Sequence, residues 1–204
     1  MSAAAAEPPE GERIAKVMAR AGLCSRREAE QWIAAGRVSV DGKVLNSPAL
    51  NVRPGQHISV DGKPLPIAEP PRLFRYHKPK GVMTTAHDPE GRKTLYDTLP
   101  EGLPRPMPIG RLDLNSEGLL LLTNDGELKR RLELPSTGWL RRYRVRVFGT
   151  PDDTALQALG RGVTVGGVVY GPIQAKLERV QGSNSWLVVA LREGKNREVR
   201  NVME

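Results

Sequence analysis

Hydrophobic positions near the start of the chain recur with a helical period. Ile14, Val17, Met18 and Ala21 fall at i, i+3, i+4 and i+7, which puts them on one helix face. Gly22 stands where that helix stops. Ser25, with Glu28 three residues on, has capping-box spacing and predicts a second helix that carries Ala29, Trp32 and Ile33 and ends at Gly36. The period then changes to two. Val38–Leu45 and His57–Val60 read as short strands, followed or interrupted by Asp-Gly turns. Residues 61–72, DGKPLPIAEPPR, hold four prolines. Proline lacks the backbone N–H and has a fixed φ, so this stretch predicts a linker.

From residue 73 onward strands dominate. LFRYHKPKGVMTT reads as a strand, a Lys-Pro-Lys-Gly turn and a strand. MPIGRLD and GLLLLTND read as strands around a turn, the four leucines as a strand buried on both faces. GELKRRLEL predicts a short helix, and RRYRVRVFG alternates cleanly. PDDTALQALGRG predicts a helix with Pro151, Asp152 and Asp153 in its first turn, where negative charge suits the dipole. VTVGGVVYGPIQAKLERV predicts a hairpin with a Gly-Gly turn, SNSWLVVALREG a strand, and KNREVRNVME the start of a helix. The expected organisation is a disordered tail (1–11), a small αα-β domain (12–60), a linker (61–72) and a larger domain (73–204). The fold class is α+β, with the larger domain on a mixed, mostly antiparallel sheet flanked by helices.

Composition narrows the partners. The 204 residues carry a formal net charge of +8, which suggests a polyanionic partner. The excess is concentrated. Between residues 13 and 37 six basic residues (Arg13, Lys16, Arg20, Arg26, Arg27, Arg37) face two acids, and from Lys129 to Arg146 seven face one. Such clusters suit phosphate contact; the alternative is a solvated helix face or a charge-protected strand edge. A single cysteine, Cys24, excludes a disulfide framework and fits a reducing compartment. No apolar run approaches a membrane span, and MSAAAAEPPEGE lacks the pattern of a secretory signal. Cytoplasm is the expected location. His57, His77 and His87 lack ligand spacing, so no metal is expected.

Two places invite chemistry. In RRYRVRVFG, strand alternation puts Arg142, Arg144 and Arg146 on one face and Tyr143, Val145 and Val147 on the other. Tyr143 is then either a core tyrosine or an aromatic able to stack on a base. Asp113 lies between an apolar strand and a leucine strand. A carboxylate so placed has to be paired or hydrogen-bonded to stay ionised. Candidate cations are Arg111 at i−2 and the REGKNREVR cluster with Arg192, Lys195, Arg197 and Arg200. Asp125, in Asn124-Asp125-Gly126, reads as a turn or helix-start residue.

RIAKVMARAGLCSRREAEQWIAAGRVSVDGKVLNSPALNVRPGQHISVDGK resembles an S4 domain, a small RNA-binding module. GRLDLNSEGLLLLTND, HKPKG, RRYRV and LREGKNREVRNVME together resemble the ribosomal RNA pseudouridine synthases that carry an N-terminal S4 domain, over residues 12–204. The resemblance implies the pseudouridine synthase fold and isomerisation of uridine to pseudouridine, with no cofactor and no metal. It implies that Asp113 is the catalytic aspartate, Tyr143 the tyrosine on the target base, and Arg200 the basic residue that pairs with the aspartate. The RNA-binding set expected from the basic positions is Arg13, Lys16, Arg26, Arg27, Arg37, Lys78, Lys80, Arg111, Arg141, Arg142, Arg144, Lys195 and Arg197. The partner implied is ribosomal RNA, 23S before 16S, acted on by a monomer with no membrane involved. Family members continue beyond REVRNVME, so the chain is expected to end within a helix, as a truncated domain. Two other readings remain at this stage. One is a ribosome-associated RNA-binding protein without chemistry. The other is a hydrolase pairing Asp113 with Glu117 or Asp125.

Overall fold

A computed structural model describes residues 11–103 and 105–204. Except for Gly11, the expected N-terminal tail lies outside these residues. The chain divides into two compact units, 1–129 and 130–204. The Pro-rich stretch at 61–72 therefore lies inside the first unit.

The first unit opens with β1 (Glu12–Arg13), α1 (Ile14–Arg20), α2 (Arg26–Ala34), β2 (Val38–Val40), β3 (Lys43–Val44), β4 (Asn51–Val52), β5 (Ile58–Val60) and β6 (Lys63–Pro64). Ile14 and Met18 of α1, Ala29 and Ile33 of α2 and Val38 of β2 are fully buried in one cluster. Burial of each larger side chain contributes about 1.5–3 kcal/mol. The capping box of α2 forms as its spacing predicts: Glu28 N–H donates to Ser25 Oγ at 3.2 Å, and Ser25 N–H to Glu28 Oε2 at 2.7 Å. The sheet order is β3-β2-β5-β6, all antiparallel. Asp41-Gly42 and Asp61-Gly62 have positive φ at both residues (49° and 78°, 50° and 75°), the conformation of two-residue hairpin turns. The first turn splits 38–45 into two strands. The second draws Lys63–Pro64 out of the expected linker and into the sheet, where Leu65 adds to the core.

The same unit continues with β7 (Leu73–Lys78), β8 (Met107–Ile109), β9 (Gly118–Thr123) and α3 (Gly126–Glu133), whose last turn crosses into the second unit. Sheet order is β7-β9-β8, antiparallel throughout. The leucine run is not buried on both faces. Leu120 and Leu122 are 3% and 1% exposed, but Leu119 is 67% exposed. One face of this sheet, carrying Phe74, Tyr76, Leu120 and Leu122, packs on Leu95, Tyr96, Leu99 and Leu112. The strand expected after the Lys-Pro-Lys-Gly turn is absent; Met83 makes a lone parallel bridge to Thr94. Two ion pairs tie the helix pair to this sheet region, Lys16–Glu127 at 2.8 Å and Arg105–Glu28 at 3.0 Å.

The second unit comprises β10 (Arg141–Phe148), α4 (Asp153–Ala158), β11 (Val163–Val165), β12 (Val168–Tyr170), β13 (Ile173–Gln181), β14 (Asn184–Leu191) and α5 (Glu198–Met203). Its sheet, β10-β14-β13, is antiparallel. Leu187, Val189 and Leu191 of β14 form its inner face with Tyr143, Val145 and Val147 of β10. Leu156 of α4 and Val199, Val202 and Met203 of α5 pack against that face. Gly166-Gly167, at φ 55° and 77°, closes the β11–β12 hairpin. The hairpin ends at Tyr170, and β13 pairs with β14 instead.

Candidate active site

Asp113 follows β8 in the loop 110–117, and that loop is held from the end of β7 and the segment after it. Lys78 ends β7 on the same side as Phe74 and Tyr76, and it is fully buried. Its ammonium donates to the carbonyls of Asp113 at 3.0 Å, Ser116 at 2.9 Å and Pro79 at 3.1 Å. Gly81 N–H donates to Leu114 O at 2.8 Å. The Thr84 hydroxyl donates to Leu112 O at 2.8 Å and accepts from Leu112 N–H at 3.3 Å. Ser116 N–H closes the turn on Asp113 O at 3.0 Å, and Leu112 packs into the core beneath. The backbone on either side of Asp113 is therefore fixed, while its carboxylate faces solvent.

Two expectations change here. Asp113 is exposed, and among the described residues of its own unit the expected ion pair with Arg111 is not seen. Lys78 is not an RNA-contacting residue: it has no solvent exposure, and its three donors are committed to backbone carbonyls. Burial pushes its pKa down, and the Asp113 charge opposes that shift. Gly81 and Thr84 were also missed as anchors. The signal was parity, since period two along LFRYHK puts Lys78 with the inward Phe74 and Tyr76.

The carboxylates considered as partners of Asp113 are engaged elsewhere. Asp125 Oδ1 accepts from Glu127 N–H and Leu128 N–H, both at 2.7 Å, and so caps α3, as its sequence context predicts. Glu117 lies 3.6 Å from Lys80, and both are exposed.

In the second unit, Tyr143 is half-buried on the inner face of β10, packed with Val145 and the α4–α5 core. Arg142 and Arg144 lie on the opposite face, so within this unit they do not share a surface with Tyr143. Arg141 donates to the Trp139 and Arg192 carbonyls. Arg200, exposed on α5, pairs with Glu204 at 2.8 Å. Lys195 is tied internally, to Glu193 at 2.6 Å and over the Tyr170 ring at 5.7 Å; Arg197 is exposed with a left-handed φ of 49°.

The basic residues of the helical region divide similarly. Arg26 and Arg27 are exposed at the start of α2. Arg13 bonds the Ala49 carbonyl, and Lys16 pairs with Glu12 and Glu127. Arg37 grips Asp61 at 2.6 Å and stacks over Trp32 at 4.7 Å.

Beyond the turn, Asp88 is buried and holds Arg92 at 2.8 Å. The Arg92 guanidinium and N–H keep its carboxyl at about 2, below its ordinary 3.8. A depressed carboxyl stabilises the fold fully above its unfolded value and loses that contribution as pH falls toward the folded one. Asp88→Asn should therefore flatten the stability loss between pH about 4 and about 2, read from urea melts across that range. An unchanged acid limb would contradict this assignment.

The S4 domain family matches residues 12–58, and the RNA pseudouridylate synthase family matches residues 72–204. A Rickettsia felis protein described as an uncharacterized RNA pseudouridine synthase is 48% identical over 193 residues, covering 95% of this chain and 83% of that protein. Ribosomal large subunit pseudouridine synthase B of Haemophilus influenzae is 45% identical over 201 residues, covering 96% of this chain and 56% of its own length. The protein of that name from Escherichia coli O157:H7 is 46% identical, with 95% and 69% covered. A crystal structure of a pseudouridylate synthase superposes with a TM-score of 0.60 at 24% identity, covering 94% of this chain and 82% of the other, which supports the shared fold.

Proposed function

The chain belongs to the RNA pseudouridylate synthase family and carries an S4 domain, and we propose that it converts a uridine of ribosomal RNA, foremost 23S, to pseudouridine with Asp113 as the reacting carboxylate. The rRNA target rests on the names of the relatives that match along nearly all of this chain. The observation that carries the role of Asp113 is the clamp on its backbone from Lys78, Gly81 and Thr84, with the carboxylate left facing outward. A group fixed in this way reacts without first being ordered, which is the part of a barrier that positioning removes.

The reaction breaks the N1–C1′ glycosidic bond and forms a C5–C1′ bond. N1 ends protonated and C5 loses its hydrogen, so atoms balance without a cofactor. The target nucleotide first leaves its stack, at a cost of a few kcal/mol that phosphate contacts offset. Asp113 acts at the sugar–base unit, Tyr143 stacks on the base, and Arg200 pairs with the carboxylate; the last two roles rest on the family resemblance. Exposed Arg26, Arg27, Lys80, Arg111 and Arg197 are the phosphate contacts this reading favours. The domain division that goes with it is an S4 module over 12–60 and a catalytic domain over 73–204, in a monomer acting in the cytoplasm.

The test is incubation of the purified chain with transcripts of large- and small-subunit rRNA. Carbodiimide-dependent reverse-transcription stops should appear at one uridine of the large-subunit RNA. Stops only in the small-subunit transcript would overturn the 23S target. RNA binding with no stops in either would favour a non-catalytic protein, and released uracil would favour a hydrolase.

A further inference from the structure

The sheet face opposite Tyr143 carries a feature that the modification of one uridine does not require. Trp186 sits on the central strand β14 with its ring half-exposed, directly across from Arg146 on one side and Arg179 on the other. The Arg144 guanidinium lies 4.5 Å from the ring centroid and that of Arg179 5.9 Å. Glu178, the extra residue of a β-bulge, holds Arg144 at 2.7 Å, and Gln181 accepts from the Trp186 Nε1–H at 3.3 Å. A shallow cavity of about 390 Å³ opens between Arg146, Arg179, Gln181, Asn184 and Trp186. Two residues along from Arg146, on the same face, Phe148 is 85% exposed opposite Asn184.

Charge protection of an edge strand explains arginines on β10. It does not explain a tryptophan on the middle strand, nor a phenylalanine left almost wholly in water where burial would be favourable. Arg142, Arg144, Arg146, Lys176 and Arg179 face this side of the sheet, with Glu178 the acidic residue among these strand positions. Arginines two residues apart on a strand stand about 6.8 Å apart, a spacing comparable to that of successive phosphates in an extended nucleic-acid strand. Aromatic platforms interleaved with such a row are the equipment of a single-strand binding surface, where bases stack and phosphates meet guanidinium groups.

We propose that this face, centred on Trp186 and Phe148, binds a single-stranded segment of the substrate RNA at a distance in sequence from the modified uridine. The inference rests on RNA being the substrate, but its test does not depend on catalysis. Binding of a fluorescent oligouridylate of roughly a dozen nucleotides is measured by anisotropy across a salt series, for the full chain and its variants. Arg146→Gln with Arg179→Gln should lower the slope of log affinity against log salt by about 1.4, at about 0.7 per lost contact. Trp186→Ala should weaken binding about tenfold, while Trp186→Phe, which keeps a platform, should retain most of it. Ultraviolet crosslinking of the same oligouridylate should place uridine on Trp186 or Phe148. Unchanged slope and affinity in these variants, with crosslinks only elsewhere, would overturn the proposal. So would concentration-dependent self-association of the chain that the same substitutions abolish, since the face would then meet a second copy. A chain that forms no pseudouridine, yet loses slope and crosslinks in the variants, would refute the enzymatic reading and leave this surface standing.

Discussion

Asp113→Asn is expected to bind rRNA within about threefold of the unaltered chain and to form pseudouridine at least about 10⁴-fold more slowly. The substitution keeps the shape of the side chain and the whole backbone clamp, because Lys78, Gly81 and Thr84 grip main-chain or neighbouring atoms rather than the carboxylate. Only the charge and nucleophilicity of one group are removed. Loss of a covalent nucleophile or base in enzymes that depend on one costs on the order of 10⁴–10⁶ in rate. Removing a negative charge near a polyanion does not weaken binding, so the rate and affinity effects should separate cleanly. Single-turnover kinetics at saturating enzyme, beside a filter-binding isotherm, measures both. Equal losses in the two would mean that Asp113 is a binding or folding residue.

Lys78→Met is expected to lower the melting temperature by about 10 °C and, in the protein that remains folded, to slow modification by at least about 100-fold. Methionine fills much the same volume but supplies no donor, leaving three carbonyls that now share one ammonium. An unsatisfied buried acceptor costs about 1–3 kcal/mol. With partial access of water to the turn, a total near 3 kcal/mol follows, and for a chain of this size each kcal/mol is worth about 2–4 °C. The rate effect arises because the Asp113 loop loses its main anchor, and displacement by about 1 Å costs about 10² in rate. Differential scanning calorimetry and single-turnover assays well below the transition check the two parts. A variant with unaltered melting and unaltered rate would show that the lysine does not hold the loop.

Local signals were the most readable in the sequence. Ser25 and Glu28 announced the start of α2, Asp125 announced the start of α3, and the alternation of RRYRVRVF predicted both faces of β10. Each depends on neighbours a few residues apart, so tertiary context had little to override. The same alternation already placed Arg142 and Arg144 away from Tyr143, although a list of basic residues hides that. What misled was burial set by partners distant in sequence. The leucine run looked fully buried because all four residues are apolar, yet its sheet has one packed face and Leu119 lies on the other. Lys78 looked like an RNA contact because lysine is almost always exposed. Its burial depends on three carbonyls, two of them more than thirty residues away, which meet it only once β7 and β9 pair. Asp113 stood out through its position between an apolar strand and the leucines. Its loop is held in the fold by Lys78 at the end of β7 and by Gly81 and Thr84 just after it, none of them near Asp113 in sequence.

The most direct test of the central claim follows the hydrogen that must leave C5 when the new bond forms. Large-subunit rRNA transcribed with uridine tritiated at C5 is incubated with the unaltered chain and with Asp113→Asn, and tritium released to water is counted over time. The unaltered chain should release one equivalent per RNA and no free uracil, and the variant none above background. Release by Asp113→Asn at the unaltered rate would contradict the assignment of the reacting carboxylate.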